Sequence, residues 1–516
     1  MQREKDINSS EKHKKEHSNC DFQGENIDTN LDKNLLYIRN QLGEGIGLSQ
    51  GKFMTFGGHI ETGIIYIKSI SDKELINNQV ISPLLQGKFK DTNIHSDICT
   101  LAQKLYISSI NTIKVDQMEV VITELLKGNT AVFFEKSSNA IIVQSQKLEK
   151  RAIDKAENET TIFGTKEAFA EEIDTNISMI IKRLPVATLK FETYTLGNLS
   201  CTDSKILWID GLAKEDIIDE VRKRLRGVNT DMIDGTSTLA ELIQDKPNSL
   251  FPTYRLTERP DVVSRALSEG HVAILCNNSP FSLILPICFW DSFKTMDDYS
   301  QLPYAGSFLR ITRIIAFVIS IVISPLYLSF VTYNHTIVPP SLALNISQGR
   351  EGVPLPSIIE LIGMTIIIDI IREAGTRMPG MVGYFIGTLG AVIIGQAAVA
   401  AGYVSVSLII VVAFSAIASF AISSTSLVNT SRIINYLLIF LAGFFGIFGF
   451  FNGSFIILWR MSILESFGVP YLYPVIPVEF QGWKDVFIRA PFKILKSKLT
   501  LIANVSGNRN EHIKKQ

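Results

Sequence analysis

Along the first 303 residues the apolar positions come in short bursts, broken by polar turns or set at helical spacing; beyond them they fuse into long runs. The first pattern predicts an α/β region and the second a set of helices. Residues 34–150 and 185–303 each read as a small α/β subdomain, and the two share a repeat. Ile64-Ile-Tyr-Ile-Lys-Ser-Ile matches Ile206-Leu-Trp-Ile-Asp-Gly-Leu, and Leu125-Leu-Lys-Gly-Asn-Thr-Ala matches Leu267-Ser-Glu-Gly-His-Val-Ala, both at an offset of 142 residues. Two ungapped matches at one offset point to duplication. In each copy a helix should end at a glycine, Gly128 or Gly270, with a hairpin following. Residues 151–184 link the subdomains. There Phe169, Ile173, Ile177, Ile180 and Leu184 recur at steps of three and four, predicting an amphipathic helix with Thr165 as a candidate cap. Residues 1–33 are polar and nearly free of aromatics, which predicts a disordered tail.

Four of the long runs, Ile311–Tyr333, Met381–Gly402, Val404–Ser424 and Asn435–Trp459, have about the length that a bilayer-spanning helix needs. They predict an α-helical transmembrane bundle over residues 304–460, in contact with membrane lipid. Ser357–Ile371 is shorter and carries Glu360 and Asp369. Carboxylates are costly at membrane depth, so it is expected as an interfacial or re-entrant helix at the mouth of a pore. The segment 461–516 is a basic tail, which favours a cytoplasmic end. The N-terminus has no apolar core of a secretory signal, so the α/β region is expected in the cytoplasm too. Both ends inside require an even number of crossings. Four crossings are therefore expected, although they leave Arg372, Arg377 and Arg432 outside; five would bring them in and put the tail out.

From Met381 to Thr430 there is no Asp, Glu, Lys or Arg. Within that stretch Gly387, Ala391, Gly395, Ala398 and Gly402 fall within roughly 80° of one helix face. Such a stripe lets helices pack closely in lipid. It serves either plain packing or a helix beside an oligomer axis, where Thr388 and Gln396 would touch water or ions. Glu258, Arg259 and Asp261 flank Pro260 at a helix start, suited either to salt bridges between subunits or to a capped exposed helix end. Arg350 and Glu351 are placed to pair at the bilayer edge. Asp369, Arg372 and Glu373 share a helix face, suited to mutual pairing or to gating.

Composition narrows the function classes. Fifty basic and 51 acidic residues leave a net charge of -1, which gives no basic face for nucleic acid. The mean hydropathy of +0.21 is high for a soluble enzyme. The five cysteines, Cys20, Cys99, Cys201, Cys276 and Cys288, form no CxxC pair and read as buried or idle thiols. The seven histidines give no metal-binding cluster, and neither a phosphate-binding loop nor a G-x-S-x-G elbow occurs. No cofactor and no enzymatic activity are expected.

Five segments in order resemble the A-subunit family of GerA-type nutrient germinant receptors. They are Gly164-Thr-Lys-Glu-Ala-Phe-Ala-Glu-Glu-Ile-Asp-Thr-Asn-Ile-Ser; Thr257-Glu-Arg-Pro-Asp-Val-Val with Glu269-Gly-His-Val; Arg350-Glu-Gly-Val-Pro-Leu-Pro; Asp369-Ile-Ile-Arg-Glu-Ala-Gly-Thr-Arg-Met-Pro; and Gly395-Gln-Ala-Ala-Val-Ala-Ala-Gly-Tyr. Thr165-Lys166 stands where Pro-Arg is usual, Asp369 where Glu is common, and Gly380 where a basic residue is usual. The resemblance implies a multi-pass protein of the spore inner membrane, acting with a transporter-like B subunit and a lipoprotein C subunit. It also implies a homo-oligomeric ring that releases ions when the partner senses a nutrient. A membrane-anchored scaffold that does not conduct is the alternative. A secondary transporter would show its repeat among the membrane helices, whereas the repeat here lies in the α/β region.

Overall fold

The computed structural model describes residues 26–504 apart from 44–45, 88–97, 106, 108–111, 148–155, 157, 160, 378–389, 391–392, 481 and 492–498. Cys20, Gly387, Thr388 and Ala391 lie outside the described residues. Order begins before residue 34: Ile27 is buried, and the Asn30 side chain accepts from the Asp32 and Lys33 amides to cap helix α1, Leu31–Leu42.

The α/β region holds two five-stranded sheets of one design. The first contains β1 (Leu48–Thr55), β2 (Ile60–Ile67), β3 (Thr112–Val115), β4 (Thr130–Phe134) and β5 (Ala140–Val143), in the order β1-β2-β4-β5-β3. The second contains β6 (Leu189–Leu196), β7 (Thr202–Ile209), β8 (Arg255–Thr257), β9 (Val272–Cys276) and β10 (Ser282–Leu285), in the matching order β6-β7-β9-β10-β8. Every neighbouring pair is antiparallel. The helices beside the sheets include α2 (Met118–Leu126), α3 (Ile173–Arg183), α4 (Glu215–Arg226) and α5 (Pro260–Glu269). One apolar core joins both sheets, with Leu35 and Ile38 of α1, Ile177 and Ile180 of α3 and Val263 and Leu267 of α5 meeting Ile65, Phe133, Leu207 and Leu275. Helix α3 is shorter than its periodicity predicts. Asn176 clasps the backbone of Ala170 at 2.7 and 2.6 Å and the Phe169 amide bonds to Glu258 O, so residues 165–172 run as a non-helical arm. The Thr165 hydroxyl donates to Asp261 instead of capping α3.

The C-terminal helices comprise α6 (Pro303–Thr332), α7 (Ser357–Thr376), α8 (Val406–Phe420) and α9 (Thr425–Ile463). Two of them, α6 and α9, are long and apolar enough to cross a membrane by length and composition. Helix α9 is two arms rather than the single span expected over Asn435–Trp459. Gly446 has φ 60° and ψ -144°, a backbone essentially confined to glycine, and the chain reverses there. The second arm lies back along the first, with Gly453 against Leu438 and Leu441. Tyr333, just past α6, packs its ring on Gly446 and donates its hydroxyl to the Gly443 carbonyl at 2.9 Å, one of those the reversal exposes. This fixes the far end of the bundle. The near end meets the α/β region, where Ser423 bonds to Ser292 O and Thr430 to Leu250 O.

Helix α7 also departs from expectation. It is a 20-residue helix whose first turn lies at the far end, Ile358 against Gly443, and whose last turns lie at the near end, Arg372 beside Phe420. It runs the length of the bundle because both carboxylates have partners there. Ser405, before α8, sits beside Glu360 at the far end, so Arg377 and Ser405 stand at opposite ends of the bundle. Of the small-residue stripe, Gly395 is buried near Ile409, Ala398 is half-buried and Gln396 exposed. Gly402 serves a different purpose: with φ 69° it closes its helix, the Tyr403 amide bonding to Ala398 O.

After α9 the chain returns to the second sheet. Ser466 donates to Thr253 O at 2.7 Å, the Phe467 amide to Asp245, and Ala503 bridges to Ala213. Tyr471 and Tyr473 are buried, so the first part of the expected basic tail is a structured strap.

Candidate functional site

Two clusters of buried charge stand out, one at the junction of the two regions and one inside the bundle. The junction is built by the short helix Met296–Ser300, the first turns of α6 and the strap. Thr295 and Asp298 form a reciprocal cap that holds Asp298 facing α6. Asp298 receives Arg310 Nε at 3.2 Å and Arg313 Nη2 at 2.8 Å. Arg310, fully buried, also reaches Asp485 of the strap at 3.1 Å. Tyr299 donates to Asp485 and lies under the Arg265 guanidinium at 3.2 Å from its ring centre. Lys294 pairs with Asp291 at 2.9 Å and approaches Asp485 at 3.7 Å. Burial alone would lower the Lys294 ammonium, but Asp291 and Asp485 hold it above the usual lysine range. Burial would raise Asp291, and Lys294 with His271 holds it below the usual carboxylate range. Burial and the Asp485 carboxylate push the Tyr299 phenol up to about 12, so it stays a neutral donor. A small cavity of about 50 Å³ lies beside this network, lined by residues such as Arg265, His271 and Tyr299.

Inside the bundle, Glu360 is fully buried and accepts the Ser405 amide at 2.5 Å, with Arg350 Nη2 at 3.7 Å. Arg350 also bonds to Ser357. Nearer the α/β region, Asp369 accepts the Tyr436 hydroxyl at 2.7 Å and lies 3.7 Å from Arg432 Nε and 3.9 Å from Arg372 Nη1. Arg372 stacks over Phe420 at 4.6 Å. Glu373 pairs with Arg377 at the exposed end of α7, and Glu351 is exposed.

The three charged residues at the start of α5 find partners within the chain. Glu258 accepts the Asn158 and Glu159 amides at 2.6 and 2.8 Å. Arg259, 1% exposed, pairs with Asp261 at 2.6 Å and donates to Glu159 O and Thr161. Together they pin the linker to α5. Among the described residues no group of three or more His, Cys, Asp and Glu is set to hold a metal ion. Burial pushes the Cys99, Cys276 and Cys288 thiols up, which disfavours the thiolate form.

Sequence reading finds Glu360, Asp369 and Arg372 but misses Asp298, Arg310, Asp485, Arg432 and Tyr436. Arg432 does have a sequence signal, as the first charge after the long uncharged stretch. The junction has none, since bonded members such as Tyr299 and Asp485 lie 186 residues apart.

The arrangement is one of fixed ion pairs and helix ends. Comparison with known proteins agrees with a membrane-associated role in spore germination. The model of the Bacillus/Clostridium GerA spore germination protein family matches residues 37–500. The chain is 34% identical to spore germination protein KA of Bacillus subtilis over 84% of its own length and 79% of that protein's. It is 31% identical to spore germination protein GerLA of Bacillus cereus over 92% of its own length and 95% of that protein's. It is 33% identical to the uncharacterized membrane protein YfkQ of Bacillus subtilis over 92% and 91%. Among solved structures, the N-terminal domain of the A subunit of the Bacillus megaterium spore germinant receptor GerK3 aligns at a TM-score of 0.40 and 27% identity, over 52% of this chain and 99% of that one. The chain belongs to the GerA family of spore germination proteins.

Proposed function

We propose that this chain is the A-type subunit of a nutrient germinant receptor in the spore inner membrane, that its copies assemble around an ion passage, and that the passage opens when a transporter-like partner subunit binds nutrient. A lipoprotein subunit completes the receptor in this reading. The observation that carries the membrane part is an inverted distribution of polarity. Ile410, Phe414, Phe444, Phe448 and Phe455 face outward, while Ser320, Ser324, Ser415, Ser419 and Glu360 are buried. Such an exposed apolar surface is stable only against lipid or other apolar surfaces. Counting the return from Arg377 to Ser405 and the two arms of α9, the chain crosses six times. Both ends, with Arg372, Arg377 and Arg432, then lie on the cytoplasmic side, which removes the conflict between four crossings and five.

The ion passage is supported by the serines and the Glu360 carboxylate buried among the apolar side chains of the bundle interior and by the uncharged, small-residue stretch that follows Arg377. Ion efflux from liposomes carrying the purified assembly tests it. Flux that Thr388 or Gln396 substitutions alter in rate or selectivity supports a channel. A monomer that stays sealed under every activating substitution sinks the idea and leaves the scaffold reading.

A further inference from the structure

The bundle contains a cavity of about 30 Å³ between α6, α7, α8 and the first arm of α9, lined in part by Ser324, Asp369, Arg372, Arg432, Asn435 and Tyr436. Its charges do not balance. Two guanidiniums face one carboxylate, and Asp369 stands at 3.7 and 3.9 Å from them, beyond hydrogen-bond length. Its other oxygen is taken by Tyr436. The Arg372 side chain is 9% exposed, and its Nε and Nη1 have no hydrogen-bond partner; Arg432 Nε has none either. The neighbouring serines do not help neutralise the site, since Ser415, Ser419 and Ser431 give their protons to main-chain carbonyls. Nor does the part of the bundle outside the described residues hold a missing carboxylate, because no charged residue occurs from Met378 to Ser431. An uncompensated guanidinium with idle N–H groups is costly among apolar helices, and water satisfies the donors without cancelling the charge.

We infer that this cavity binds a small monovalent inorganic anion of chloride size. The volume decides the size class: one water needs about 10–15 Å³ by this measure, so there is room for a halide with a water and none for a phosphate ester or an amino acid. Arg372 and Arg432 hold the anion from α7 and α9, two elements far apart in sequence, so occupancy clasps the near end of the bundle together. The site does not depend on the ion-release reading.

The test uses the purified full-length chain in detergent and follows thermal unfolding as chloride or bromide replaces gluconate at constant potassium. A saturable rise in Tm with chloride is expected. Arg372→Gln and Arg432→Gln should each weaken the response by about tenfold or more, the worth of one hydrogen bond to a charged group. Asp369→Asn removes the competing carboxylate and should shift the response to lower chloride. That gain cannot come from misfolding, so it keeps the test decisive if an arginine variant fails to fold. The inference is overturned if chloride has no effect, if both arginine variants respond as the parent does, or if Asp369→Asn weakens the response. It is equally overturned if only phosphatidylglycerol nanodiscs, against phosphatidylcholine, stabilise the protein, which would assign the guanidiniums to lipid headgroups. No ion flux is read, so failure here and failure of the channel are separable.

Discussion

Arg259 illustrates how much one buried side chain carries. Its guanidinium spans Asp261 of α5 and the Glu159–Thr161 segment of the linker, so truncation strands Asp261 and frees the linker together. Arg259→Ala should lower stability by about 3–5 kcal/mol, as breaking a buried pair does, measured by denaturant unfolding followed by tryptophan fluorescence. A wild-type midpoint would remove the pin. The junction sets a pH dependence as well. Asp291 is held below its ordinary 3.8, so its stabilisation is present above that pH and lost as pH falls through the lower folded value. Lys294 is held above its ordinary 10.5, so its contribution is complete below that pH and lost as pH rises through the higher folded value. Thermal unfolding should therefore show an acid limb that Asp291→Asn flattens; an unchanged limb would place the acid sensitivity elsewhere. These residues were unevenly legible in the sequence. Glu360 and Asp369 announce themselves as carboxylates in an apolar run, whereas Asp298 and Asp485 look like ordinary surface acids until folding buries them against Arg310.

At the scale of elements, the two sheets were readable because duplication preserved the spacing: β2 and β7, β4 and β9, and β5 and β10 each start 142 residues apart. Helix α3 was readable in its periodicity and misread in its start, because a side-chain clasp by Asn176 outcompetes helix formation over residues 165–172. The long apolar run of α9 concealed its reversal, since composition does not register a backbone angle at one glycine. Gly446→Ala tests that reversal. The substituted methyl would meet the Tyr333 ring at about 3.1 Å in a conformation closed to alanine, a cost of about 1–3 kcal/mol from backbone strain alone. The expected outcome is a lower Tm in detergent than the parent's, read by scanning fluorimetry. Tolerance of Gly446→Ala without loss would mean that the arms do not turn there.

For the whole molecule, the six-crossing reading makes the helix Pro340–Gln348 and the exposed Cys201 lie on opposite sides of a membrane. In vesicles with the α/β region enclosed, a membrane-impermeant maleimide should label Ser347→Cys at once and Cys201 only after permeabilisation; the reverse order would refute the topology. Removing residues 465–516 should destabilise the α/β region and not just loosen a tail, since Tyr473 and Ile502 fill the core of the second sheet. Limited proteolysis of the truncated chain should cut within residues 190–290, and resistance equal to the parent would show the strap to be dispensable. The strap and α6 are both fastened to Asp298 and its neighbours, one through Asp485 and the other through Arg310. Everything between them is thus a closed mechanical loop whose two ends are tied at a single knot. A push delivered to the second sheet arrives simultaneously at the first and last helices, so the bundle is moved as a frame rather than plucked one helix at a time.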